Sequence, residues 1–444
     1  MFKKETLLLF SVMLLMVSCK REDITRTYSA QTAIDWADMT LSVIKQSTFK
    51  SPTYPSRALG YMGLCLYECM VHSDSGYRSL NGQLTGLNNL PQPETGVSYN
   101  WTLVANAGQH HLLKLLYPVP DNLGSHAQVD QLFSLIQSRE SNGLPGTTIN
   151  RSIQLGKAIA QTIYEWSKTD GGHEGFKRNF DPNFIFPDGP GYWMPPAVGQ
   201  MVSPFPLHPR WGSNRTFVAA DSLLPIPQMK PFSENPASEF YNLYKEVYEK
   251  NITLTQEEKE IAAWWTDDPT ETFSPPGHSY NLATITIKKV NAPPIKAAET
   301  YARVGMAVAD AFINCWKAKY TYFNERPSTF VWRNITPNWK PYWPEPPFPA
   351  FPSGHATQGA AAATVLESLY GAGFSFVDNT HEGAKRFSTD LKFRPRSFSS
   401  FWQVAEEIAY SRFLGGIHTR QDNETGLQEG RKIGSNVNSL LWRR

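Results

Sequence analysis

One hydrophobic period runs through almost the whole chain. Apolar residues recur three and four apart in segments near 31–48, 55–72, 99–117, 126–139, 147–168, 237–250, 255–267, 280–320, 356–370, 399–414 and 424–442, and strand-like alternation is nearly absent. Such spacing gathers each segment's apolar side chains on one helical face, and those faces are buried by packing helix on helix. The expectation is an all-α fold of helical bundles, two of them. Pro293-Pro294 falls inside the 280–320 segment, where proline removes a backbone donor and clashes with the preceding turn, so that segment is read as two helices. With 444 residues, 41% of them hydrophobic, the chain can bury a sizeable core.

One long stretch departs from the period. Residues 171–236 are rich in Pro, Gly, Trp and Phe, as in Gly189-Pro190-Gly191-Tyr192-Trp193 and Pro204-Phe205-Pro206. Aromatics in an insert this long argue that it packs on the body. Read functionally it is an arm that shapes a pocket mouth; read blandly it is a crossover between bundles. The division that follows is an N-terminal helical region at 20–170, the arm at 171–236 and a catalytic domain at 237–444.

Ahead of these lies a targeting segment, residues 1–19. Lys3-Lys4 precede an apolar run from Leu7 to Val17, too short to span a bilayer and in the charge order of a secretory signal. Met16-Val17-Ser18-Cys19 resembles the lipobox of bacterial lipoproteins. That resemblance implies lipidation of Cys19 and a membrane-anchored protein of a bacterial cell envelope, in the periplasm or at the outer membrane. The alternative is an ordinary signal peptide cut nearby. The remaining cysteines, Cys65, Cys69 and Cys315, are odd in number and lack metal spacing, so neither a disulfide framework nor structural zinc is expected. A net charge of +2 with no basic run beyond the N-terminus leaves no nucleic-acid footprint.

The chemistry is concentrated in three short segments of the last third. They are Lys319 with Arg326-Pro327, then Pro352-Ser353-Gly354-His355, then Ser411-Arg412 with His418 and Asp422. Guanidinium forks match the paired oxygens of phosphate-like groups, and lysine adds a compact charge. Ser353 can donate its hydroxyl, while Gly354 lets an oxyanion approach the backbone N–H at the start of the helix read from Ala356 onward. Four residues apart, His418 and Asp422 share a helical face, so the carboxylate can accept from an imidazole N–H and fix its tautomer. Arg412 and His418, six apart, share one pocket only if the helix breaks at Gly415-Gly416. Ser411 is read as a local hydrogen-bonder and Pro327 as a turn stop.

In order and spacing these residues match a known pattern. Lysine, six residues, Arg-Pro; Pro-Ser-Gly-His; Ser-Arg, five residues, His, three residues, Asp: the set resembles the signature of the vanadium-dependent haloperoxidase and type 2 phosphatidic-acid phosphatase superfamily. Pro346-Pro347-Phe348-Pro349-Ala350-Phe351 and Trp316-Lys317-Ala318-Lys319 are similar to the vanadium chloroperoxidase branch. The resemblance implies vanadate as cofactor, coordinated by His418 as the vanadium ligand and held by Lys319, Arg326, Ser353, Gly354 and Arg412. His355 and Asp422 join His418 as catalytic residues, Trp316 and Phe348 line the halide side, and peroxide, halide and an organic acceptor are the substrates. Trp264-Trp265-Thr266-Asp267-Asp268 resembles a segment whose aspartate pairs with the second arginine, and either Asp267 or Asp268 fits. One departure stands out. Asn324-Glu325 replace aromatic residues before Arg326, which is expected to place a carboxylate near the oxyanion and weaken its binding.

Two other functions use the same residues. The superfamily also contains acid phosphatases, in which His418 would attack phosphorus of a phosphate ester while Asp422 orients it and His355 protonates the leaving alcohol. A non-catalytic oxyanion- or glycan-binding lipoprotein is the third reading. A pure binder has no need of His355, His418 and Asp422 together.

Overall fold

The computed structural model describes residues 29–49, 51–119, 122–196, 199–201, 203–269, 271–384 and 391–444. The signal segment and Cys19 lie outside the described residues. The helical period is realised nearly segment by segment, starting with α1 (Gln31–Gln46), α2 (Thr53–Met70), α3 (Trp101–Leu116), α4 (Leu123–Ser141) and α5 (Gly146–Ser167). The one-turn α6 (Ala219–Ser222) precedes α7 (Glu239–Asn251), α8 (Gln256–Trp264), α9 (Ser274–Val290) and α10 (Pro294–Tyr322). Next come α11 (Pro327–Asn334), α12 (Gly354–Tyr370), an antiparallel hairpin of β1 (Phe376–Asp378) and β2 (Arg396–Phe398), then α13 (Phe401–Leu414) and α14 (Arg420–Asn438). The break between α9 and α10 falls where two prolines place it: Asn291 turns left-handed at φ 48° and Pro294 opens the next helix.

Helix α10 joins the two bundles. It is buried along most of its 29 residues, with α2 on one side and α12 on the other. The pair α3 and α5 closes the N-terminal side, and α13 and α14 pack on α12. One apolar core therefore runs from Ala30 to Trp442. The crossing of α14 over α12 is close enough that a Cβ at Gly430 would lie 2.2 Å from the Thr357 carbonyl oxygen. This contact brings together two helix N-termini, and both carry site residues.

The arm is tied to the end of α10 and to the segment between α11 and α12. Trp193 N–H donates to the Phe323 carbonyl at 2.8 Å, Gln200 N–H to Glu345 at 3.0 Å, and Leu207 N–H to Pro347 at 2.8 Å. Two features depart from the sequence reading. Pro327, read as a turn stop, instead opens α11 at the first helical position, where its missing N–H costs nothing. The hairpin was invisible because three residues per strand are too few to show alternation.

Candidate functional site

Helix ends deliver every residue of the three segments to one place. Lys319 is in the last turn of α10, Arg326 is the N-cap of α11, Ser353 and Gly354 start α12, Arg412 is in the last turn of α13, and Asp422 is in the first turn of α14. Lys319, Arg326 and Arg412 are buried. Lys319 Nζ donates to the carbonyls of Pro349 at 2.8 Å and Ala350 at 2.7 Å. Arg326 Nε donates to Phe348 O at 2.9 Å and its Nη1 to Ile417 O at 2.9 Å. Arg412 Nη1 reaches Trp265 O at 3.3 Å, and its Nε has no hydrogen-bond partner among the described residues. Burial, with Arg326 nearby, pushes Lys319 down to about 7. Burial likewise brings Arg326 and Arg412 each down to about 10.

The turn between α13 and α14 breaks at the two glycines. Gly416 sits at φ 75°, and a Cβ there would lie 2.8 Å from Asn251 Nδ2, so both conformation and space call for glycine. One detail differs from the helical-face argument: His418 precedes α14, and its contact with Asp422 is made across a helix cap. Thr419 and Asp422 form a capping box in which Asp422 Oδ2 accepts the Thr419 N–H at 2.9 Å and His418 Nδ1–H at 3.1 Å. At the other nitrogen, Arg326 Nη1 donates to His418 Nε2 at 3.2 Å. An arginine can only donate, so Nε2 carries the lone pair. Burial and the cations Arg326, Lys319 and Arg412 hold the His418 pKa well below the ordinary imidazole range, while burial raises Asp422 to about 6.

His355 lies at the edge of this group, half-buried, with Nε2–H donating to Thr266 O at 3.3 Å. Burial and the Arg412 charge keep its pKa well below normal. Ser353 Oγ accepts the Ala356 N–H at 3.4 Å, which leaves its proton to donate. Gly354 has neither a positive φ nor a packing clash to explain it; a Cβ would meet Trp316 at an ordinary 3.5 Å. The Trp316 and Phe348 rings lie 4.9 Å apart, and Phe348 faces Lys319 Nζ at 5.2 Å and Arg326 Cζ at 5.0 Å. Trp316 spends its N–H on Leu207 O of the arm, at 3.3 Å. Ser411 makes the local bond expected of it, to Ile408 O at 2.6 Å.

The expectation for Glu325 is corrected. Both of its oxygens are taken by Arg333, at 2.8 and 3.0 Å, so the carboxylate turns to α11 and not to the cations. The two aspartates also separate. Asp268 is the carboxylate acting most strongly on Arg412, and it accepts from Gln200 Nε2 at 2.8 Å and Trp343 Nε1 at 3.0 Å. Asp267 is bound to His278 and His381, two histidines whose isolated positions gave no signal in the sequence.

The arrangement is a buried, positively charged cluster around a neutral imidazole. Three cations, a helix N-terminal amide and a hydroxyl are opposed by the carboxylates of Asp422 and Asp268, a set suited to a tetrahedral oxyanion. A family model described as the VCPO second helical-bundle domain matches residues 299–443. The chain is similar to a solved structure described as the first bacterial vanadium dependant iodoperoxidase, with 30% identity and a TM-score of 0.81 over 94% of this chain and 97% of that one. Holo and apo forms of a bacterial vanadium-dependent chloroperoxidase share the fold at 16% and 15% identity, with TM-scores of 0.69 and 0.68, each over 88% of this chain and 92% and 93% of theirs. No curated protein matches.

Proposed function

The chain belongs to the vanadium-dependent haloperoxidase superfamily, and from that premise we propose that it oxidises halide with hydrogen peroxide at a vanadate seated among these cations, taking iodide first. The observation that carries the reading is the unpartnered Arg412 Nε beside two further buried cations and the His418 Nε2 lone pair. An unpaired guanidinium nitrogen in a dry site is costly unless an anion satisfies it. The groups fit vanadate: His418 Nε2 would coordinate it, and Lys319, Arg326, Ser353, the Gly354 amide and Arg412 would hold its oxygens. When bound, vanadate supplies a Lewis-acidic centre that activates peroxide toward halide.

The remaining work falls to the chain itself. Asp422 holds the Nδ1 proton of His418, which fixes the tautomer and makes Nε2 a better donor of electrons. His355, with its Nε2–H committed to Thr266 O, offers Nδ1 to take a proton from peroxide. Trp316 and Phe348 give an apolar wall suited to a large, easily dehydrated anion. Iodide is favoured because the relative that is 30% identical is described as an iodoperoxidase. Lipid anchoring at Cys19 belongs to the same proposal; labelled palmitate that appears on the protein and is lost in Cys19→Ser tests it. Among the described residues, no helix is long and apolar enough to cross a membrane.

The deciding experiment loads the apoprotein with orthovanadate and compares oxidation of iodide, bromide and chloride with hydrolysis of p-nitrophenyl phosphate. Halide oxidation that appears only after loading, fastest with iodide, is expected. Ester hydrolysis without vanadate, and no peroxidase activity with it, would assign the site to a phosphatase.

Anion binding should also be linked to protons. Lys319 titrates near 7 in the free protein, and an oxyanion beside it favours the charged form, so its pKa rises on binding. Above about pH 7 binding therefore takes up a proton and weakens as pH rises, while below that Lys319 is already charged and the dependence flattens. Calorimetry with tungstate, a tetrahedral dianion that does not titrate in this range, reads the uptake from the buffer dependence of the heat. Equal heats in all buffers on the alkaline side would contradict it.

A further inference from the structure

A second buried cluster lies behind the cations, and nothing in the reaction above uses it. Asp267 Oδ2 accepts from His278 Nδ1 at 2.7 Å, and its Oδ1 from His381 Nε2 at 2.8 Å. Asp378 Oδ2 accepts from His278 Nε2 and from Trp264 Nε1, each at 2.9 Å, and its Oδ1 accepts the Thr380 N–H at 3.0 Å. Asp267, His278, Asp378 and His381 are all buried. His278 thus faces a carboxylate on each nitrogen, and the Trp265 ring stacks on it at 4.5 Å.

This cluster grips a strained piece of backbone. Asp267 sits at φ 46°, a conformation that side-chain-bearing residues rarely adopt. Its neighbours all serve the site. The Trp265 carbonyl accepts from Arg412, the Thr266 carbonyl accepts from His355, and the Asp268 carboxylate acts on Arg412. Strain of this kind persists only where the surroundings over-determine it.

We propose that the Asp267–His278–Asp378–His381 cluster is a positioning element: by clamping the Asp267 side chain from α9 and from the turn after β1, it holds residues 265–268 in the course that aims His355 and Arg412 at the bound oxyanion. The inference rests on the assignment of the cationic cluster as an oxyanion site. Asp267, His278 and His381 are also a donor set that could hold a metal ion. Asp378 on the far nitrogen of His278 favours a closed hydrogen-bonded cluster, because that imidazole then donates from both nitrogens and has no lone pair to give.

The test uses the full protein, with orthovanadate as probe. Asp267→Asn should raise the Kd of the apoprotein for orthovanadate by about tenfold or more, the effect typical of losing an orienting partner. It should also lower kcat more than it raises KM for iodide. His381→Ala should behave similarly, while His381→Gln, whose amide can still donate to Asp267, should recover most of the affinity. A cluster that merely stabilises the fold would lower the melting temperature of all three variants and leave the affinity of the folded protein at the wild-type value; that result overturns the proposal. Stoichiometric zinc in the purified wild type also overturns it. Wild-type protein that does not bind orthovanadate would overturn the oxyanion assignment itself, whatever the variants do.

Discussion

Replacing His418 by alanine abolishes halide oxidation, with a loss of roughly 10³-fold or more, while the protein remains folded. The size of the effect follows from the composition of the site. Lys319, Arg326, Arg412, Ser353 and the Gly354 amide are donors, so they can surround an oxyanion and neutralise it but cannot supply an electron pair to its centre. His418 presents a lone pair among these cations, because Asp422 takes its Nδ1 proton and Arg326 faces its Nε2. Truncation leaves the start of α14 intact, since Thr419 and Asp422 cap each other without the imidazole. Iodide oxidation and thermal melting measured on the same preparation check this. A folded His418→Ala protein that keeps full turnover would show that the ligand lies elsewhere.

Arg412→Lys gives the second large effect, a loss of about 10²- to 10³-fold, close to that of Arg412→Ala. The substitution keeps a nominal cation but loses the fork, including the Nε that has no partner among the described residues. It is also weaker on charge. Burial lowers the pKa of an ammonium, as it does at Lys319, so a lysine there would hold its charge less firmly than the guanidinium does. At about 4 Å and an effective dielectric of roughly 20, each lost charge pair is worth about 4 kcal/mol before desolvation is counted. Steady-state kinetics and orthovanadate affinity for both variants measure it. A lysine variant within a few-fold of wild type would mean that simple charge, and not the paired geometry, holds the anion.

The helices were legible in the sequence because apolar spacing is a local property, and the prolines at 293 and 294 marked the break between α9 and α10. Other features depend on long-range packing. The sharing of α10 between both bundles cannot be read from its own pattern, since apolar spacing does not say which helices will cover each face. Helix α11 was missed because its eight residues begin directly on the Arg326-Pro327 pair and look like the end of a motif. The residues of the candidate site were visible through their spacing. The cluster behind them was not, because His278, Asp378 and His381 come from distant stretches and meet only through the fold. Glu325 shows the opposite error: adjacency to Arg326 suggested contact, whereas the chain turns there and sends the carboxylate to Arg333.

The most direct measurement is a crystal structure of the protein soaked in orthovanadate, with anomalous differences collected at the vanadium edge. One strong peak bonded to His418 Nε2, enclosed by Lys319, Arg326, Arg412 and the Gly354 amide, is the expected result. A vanadium peak elsewhere, or none while those side chains pair with other protein groups, would contradict it.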